Sequence, residues 1–93
     1  SLFDNQLTSI DVSANTALTI LSLKNNQLRS MDVSANTALR YLYLSGNQLT
    51  NAPIGLSSIT YTLAHIDLLF NNFDANARAE LQNLKLTYPW LSY

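Results

Sequence analysis

The sequence predicts an α/β solenoid. Similar coils stack, each gives one short strand to a parallel concave sheet, and a helix-containing segment closes the C-terminal end. Three observations predict this. Residues 11–18 read DVSANTAL, and residues 32–39 read DVSANTAL again, twenty-one positions on. Over the whole period, thirteen of the twenty-one residues of 11–31 recur in 32–52. Each period also contains an x-Leu-x-Leu-x stretch that alternates with period two, as a half-buried strand does. Self-similarity at this period marks coils that bury their apolar faces only by stacking on their neighbours.

The first unit is partial. Leu2, Asn5, Gln6, Leu7 and Ile10 fall in register with Leu23, Asn26, Gln27, Leu28 and Met31, so the chain opens inside a repeat. Its leading apolar face is expected to need upstream repeats or a partner chain at the N-terminal edge. The next three units contain LTILSLKNNQL, LRYLYLSGNQL and LAHIDLLFNNF. The third unit is three residues longer, and the extra residues fall within NAPIGLSSITYTLA, where Pro53 and Gly55 mark an altered turn. Residues 1–73 thus read as about four turns of repeat, the first one incomplete.

Residues 74–93 read as the cap. Asp74 is a good helix N-cap before strong helix formers. Ala77, Leu81 and Leu84 share one apolar face at i, i+4 and i+7, and Asp74 and Arg78 are spaced to pair at i, i+4. Pro89 stops regular structure, and Trp90 and Leu91 add apolar area.

Within the coils, the Leu positions are expected to point inward and stack, Leu21 on Leu42 and Leu23 on Leu44. Asn5, Asn26, Asn47 and Asn71 are expected to form an inward ladder. A buried amide without partners costs about 1–3 kcal/mol, so each must serve backbone groups left open where the chain leaves the strand. In DVSANTAL, Val12 and Val33 should point inward. Ala17 and Ala38 are small enough for close stacking, and Ser13, Asn15 and Thr16 favour turns.

Composition removes several function classes. The 93-residue chain carries a formal net charge of −1 with 12% charged residues, so it has no electrostatic footprint for nucleic acid. It has no Cys and one His, which leaves no thiolate and too few ligands for a zinc site. It has no glycine-rich phosphate loop and no EF-type calcium loop. The expectation is a non-enzyme without cofactor.

The shared core L-x-x-L-x-L-x-x-N-x-L resembles the leucine-rich repeat. The segment NNQL-x-S-(I/M)-DVSANTAL at this period is similar to repeats of bacterial surface proteins of the internalin J and Bacteroidetes type. The resemblance is close over residues 1–52 and looser over 53–73. Such proteins often carry Cys at one strand position, where this chain has Leu2, Leu23, Leu44 and Leu68. The resemblance implies a surface or secreted, extracellular bacterial protein that binds a protein or peptide, with a glycan as the alternative ligand and a purely structural role as another.

Non-Leu strand positions should face outward from the concave sheet. They are Ser1 and Phe3 in the first unit; Ile20, Ser22 and Lys24 in the second; Tyr41, Tyr43 and Ser45 in the third; His65, Asp67 and Leu69 in the fourth. Tyr41 and Tyr43 stand out as large, stiff, amphipathic contact area of the kind enriched in binding surfaces. Strand propensity alone also favours tyrosine there. His65 and Asp67 lie at i, i+2 on one face, but a catalytic triad needs a third member and none is evident. Phe70 takes the place of Asn25 and Gly46, and is expected either to pack under the C-terminal segment or to meet a partner.

Overall fold

The computed structural model of the chain describes residues 6–59 and 62–93. Strands β1 (Ile20–Ser22), β2 (Tyr41–Tyr43) and β3 (His65–Asp67) form one parallel sheet in that order. Ile20 pairs with Tyr41 and Tyr41 with His65; Leu21, Leu42 and Ile66 follow in the same register. Helix α1 (Leu56–Ile59) lies between β2 and β3, and helix α2 (Ala75–Thr87) follows β3.

The strands form because alternation puts one side chain in two into the core. Leu21, Leu23, Leu42, Leu44, Ile66 and Leu68 are all buried. Burying an aliphatic side chain of this size contributes about 1.5–3 kcal/mol. The same core takes in Val12, Val33, Leu28, Leu39, Leu49, Phe73, Leu81 and Leu91.

The chain leaves each strand through a residue in the left-handed region: Asn25 (φ 57°), Gly46 (φ 71°) and Phe70 (φ 59°). Glycine and asparagine enter that region easily, whereas other residues pay for the Cβ contact. Phe70 is 80% exposed, so the expectation that it packs under the C-terminal segment is corrected. The left-handed backbone that ends the strand turns its side chain outward. Since nothing buried compensates the strain, Phe70→Asn is expected to stabilise the fold by about 1 kcal/mol, raising Tm by roughly 4–8 °C. A thermal melt with unchanged or lowered Tm would contradict this.

The return path runs through DVSANTAL. In both copies two successive turns form, Asn15 N–H to Val12 O (2.9 Å) and Leu18 N–H to Asn15 O (3.2 Å), then Asn36 N–H to Val33 O (3.0 Å) and Leu39 N–H to Asn36 O (3.2 Å). Ala17 and Ala38 are exposed and do not make the contact between coils. Asn36 makes it: its buried Nδ2 donates to Val12 O (3.0 Å) and Asn15 O (2.9 Å) of the preceding coil. Two turns in succession rotate the alanine outward and leave the amide facing the neighbour.

Each return path opens on an aspartate. Asp11 Oδ1 accepts from Ser13 N–H (2.9 Å), and Asp32 Oδ1 from Ser34 N–H (2.9 Å) and the Ser34 hydroxyl (2.6 Å). The serine hydroxyl first, then the backbone N–H, holds each carboxyl below the usual carboxylate range. A lowered folded-state pKa contributes stability that is present above the unfolded value and lost as pH falls through the folded one. The Asp11→Asn, Asp32→Asn double variant is therefore expected to lose less Tm than wild type between about pH 5 and about pH 2. Equal losses would remove these two carboxyls from the acid response.

In the longer third unit, Ile54 forms a parallel bridge with Asp32, and Gly55 (φ 83°) passes so close to Ser34 that a Cβ would lie 2.9 Å from Ser34 N. At the N-terminus of α2, Asp74 Oδ1 accepts from Ala77 N–H (2.8 Å). Arg78 does not complete the expected pair: its Nε donates to Phe73 O (3.2 Å). Ala77 and Leu81 of α2 are buried and Leu84 packs against the core, while Leu86 is 80% exposed.

Candidate functional site

The parallel sheet presents its non-Leu side chains on one face. Ile20 (55% exposed), Tyr41 (36%) and Leu69 (38%) stand out of it. Ser22, Lys24, Tyr43, His65 and Asp67 are half-buried. Ser45 is corrected: it is buried. It follows the central strand, and its row places it between the longer Lys24 and Leu69, so its short side chain presents little surface.

The half-buried residues interlock across the strands. The Lys24 ammonium reaches from the end of β1 over the Tyr43 ring, 5.1 Å from its centroid, to Asp67 Oδ2 at 3.8 Å. Tyr43 and His65 rings lie 5.5 Å apart with a 40° tilt. Asp67 Oδ1 also accepts from Leu69 N–H (3.2 Å). The ion pair is partly exposed and contributes about 0–1 kcal/mol. Its effect is geometric, because it holds the Tyr43 ring and cancels the charge of the face. The Asp67 carboxylate meets Lys24 and Leu69 N–H, and His65 lies against Tyr43. This is not the carboxylate–imidazole arrangement that prepares a nucleophile.

Behind this face the asparagines tie coil to coil. Asn26 Nδ2 donates to Leu23 O (3.0 Å) and its Oδ1 accepts from Leu7 N–H (3.1 Å). Asn47 Nδ2 donates to Leu44 O and Leu23 O (3.0 Å each), and its Oδ1 accepts from Leu28 N–H (3.0 Å). Asn71 Nδ2 donates to Leu68 O and Leu44 O (3.0 Å each), and its Oδ1 accepts from Leu49 N–H (3.0 Å). Each amide closes its own turn and grips the previous coil. Asn5, like Ser1 and Phe3, lies outside the described residues.

A family model described as Leucine Rich Repeat matches residues 38–59. The match supports a leucine-rich repeat. With the three-stranded parallel sheet it fits a leucine-rich-repeat-like fold. Comparison with curated proteins and with solved structures gave no match. Leucine-rich repeats commonly bind proteins and are typically non-catalytic. Among the described residues no group of three or more His, Asp or Glu is placed to hold a metal ion.

Trp90 is one of the exposed apolar residues outside the outward rows of the repeat alignment, with Ile54, Phe70 and Leu86. It is 36% exposed and follows helix α2. A signal for it exists in the sequence, since Trp90-Leu91-Ser92-Tyr93 repeats the pattern of Ile20-Leu21-Ser22-Leu23.

Proposed function

We propose that the chain is a non-catalytic protein- or peptide-binding module of leucine-rich-repeat type that takes its ligand on the concave sheet. In this reading the coils form a short solenoid of about four turns, residues 74–93 are its C-terminal cap, and the parent is a bacterial surface or secreted protein. The bacterial and surface assignments rest on the resemblance of the DVSANTAL repeats. The observation that carries the binding reading is the contrast between the two sides of each coil. DVSANTAL is unchanged between two units, while on the sheet Ile20 becomes Tyr41, Ser22 becomes Tyr43 and Lys24 becomes Ser45. Eight positions differ between residues 11–31 and 32–52; at the three on the sheet face two aromatic rings are gained, and added aromatic area suits a contact surface.

The test is capture of partners from the native cell envelope. The expected result is a polypeptide partner retained by wild type and by Leu86→Ala, and lost with the Tyr41→Ala, Tyr43→Ala double variant. Equal retention by all three would overturn the concave site.

A structural role has one specific observation behind it. Among the described residues β1 is an edge strand, and a groove of about 230 Å³ is lined by Ile10, Val12, Leu18, Ile20 and Leu21 among others. The groove suits a further coil or a partner chain. If the groove is covered in this way, the 93-residue chain should self-associate as concentration rises, which sedimentation would detect.

A further inference from the structure

We propose that residues 90–93 supply a fourth strand to the binding face, and that Trp90, with Tyr41 and Ile20, forms a contact stripe for an uncharged apolar stripe on a partner polypeptide. This rests on the concave-sheet reading above and adds to it a residue and a ligand chemistry.

The C-terminal segment continues the sheet. Ser92 forms a parallel bridge with Asp67, with Leu68 N–H donating to Ser92 O (2.7 Å) and Ser92 N–H to Ile66 O (3.3 Å). The bridge puts Ser92 in the row of Ser22, Tyr43 and Asp67. One residue back, Leu91 joins Leu21, Leu42 and Ile66, and it is fully buried as they nearly are. One residue on, Tyr93 packs against the core, as the row of Leu23, Leu44 and Leu68 requires. Two residues back, the register sets Trp90 in the row of Ile20, Tyr41 and His65. The segment is held in place from α2: Lys85 Nζ donates to Leu91 O (2.6 Å), and the Tyr88 ring lies 5.6 Å from that of Trp90.

The chemistry of the row selects the partner. Ile20, Tyr41 and Trp90 are three of the exposed large apolar side chains of the chain. The adjacent charges, Lys24 and Asp67, are paired with each other. The nearby amides of Asn47 and Asn71 serve backbone groups. The row, with half-buried His65 set between Tyr41 and Trp90, therefore offers ring and aliphatic area without net charge, which matches an uncharged apolar stripe of a polypeptide. Four strands at about 4.8 Å spacing make the row roughly 14 Å long, and a short peptide segment covers that length.

The probe is a displayed library of random linear peptides selected against the 93-residue chain, followed by titration of the synthetic peptides obtained. Trp90 is the only tryptophan, so its emission reports binding in wild type and in the Tyr41 and Leu86 variants, and titration calorimetry reads the affinities of the Trp90 variants. The expected result is uncharged apolar peptides that shift Trp90 emission to the blue. They should lose at least about tenfold in affinity with both Tyr41→Ala and Trp90→Ala. Trp90→Phe should recover most of the loss, while Leu86→Ala changes nothing. Circular dichroism melts of Trp90→Ala separate lost contact from lost fold, and the Phe variant keeps the test open if Ala unfolds. Peptides weakened by Tyr41→Ala alone would sink the Trp90 assignment and leave the concave site standing. Peptides indifferent to both, or no selected peptide together with binding on a glycan array, would overturn both.

Discussion

Asn47→Asp is expected to be the most damaging single-atom exchange in the chain. Asn47 is buried, with two carbonyls, Leu44 O and Leu23 O, accepting from its Nδ2, and the Leu28 N–H held by its Oδ1. Aspartate keeps the acceptor and replaces the donor with an oxygen that faces two carbonyl oxygens. Leu23 O keeps the Asn26 Nδ2 donor and Leu44 O keeps that of Asn71, so the two lost hydrogen bonds cost about 0.5–1.5 kcal/mol each, and the unpaired buried charge costs more. The sum is comparable with the roughly 5–15 kcal/mol that holds a whole domain together, so the variant should be largely unfolded at neutral pH. The pH dependence follows from the sign of the new group's shift. Burial against carbonyls raises the carboxyl's folded-state pKa above its unfolded value of about 3.9. The deprotonation penalty is absent below that value and grows as pH rises toward the folded one. Urea unfolding should show the gap from wild type widening between about pH 3.5 and about pH 7. Asn47→Leu, which removes the same donor without adding a charge and also leaves the Leu28 N–H without its acceptor, should show a gap that does not widen. An Asn47→Asp midpoint equal to that of wild type at neutral pH would remove this side chain from the set of contacts that hold the coils together.

Leu44→Ala should rank second. Leu44 is fully buried, and the register that pairs Tyr43 with Ser22 and with Asp67 sets it in one row with Leu23 and Leu68. Truncation removes transfer free energy and leaves a cavity that both neighbours line, at a cost of about 2–5 kcal/mol. For a domain of this size that lowers Tm by roughly 10 °C or more. Leu86→Ala, on the exposed face of α2, is the matched control and should stay within about 0.5 kcal/mol of wild type. Similar melting of the two variants would mean that the coils do not share a core at this level.

The strand positions were legible because they are periodic. Leu21, Leu42 and Ile66 recur at the intervals that the parallel register then uses, and Asp74 before a run of helix formers marks the start of α2 wherever the helix goes. The asparagine spacing is visible in the same way, but which carbonyls each amide serves belongs to the folded backbone. Phe70 shows where periodicity stops being informative. Its place in the repeat is clear, yet its exposure comes from a left-handed backbone that Asn25 and Gly46 enter more cheaply. Ser45 was read as outward by alternation and is buried, in a row flanked by longer side chains from the adjacent units. Trp90 was hidden because α2 replaces the usual return path and obscures the match of WLSY to ILSL.

By itself, the sequence determined what depends on one residue and its near neighbours: the period, the alternation that makes strands, the turn-forming DVSANTAL and the capped helix. Only the tertiary structure decided which groups meet across coils. Lys24 crosses Tyr43 to reach Asp67, the Asn36 amide bridges to Val12 and Asn15, and Ser92 bridges to Asp67. Stacking brings residues twenty or more positions apart within a few ångströms. The contact then depends on both partners' lengths and on the backbone between them, and no local pattern carries that information.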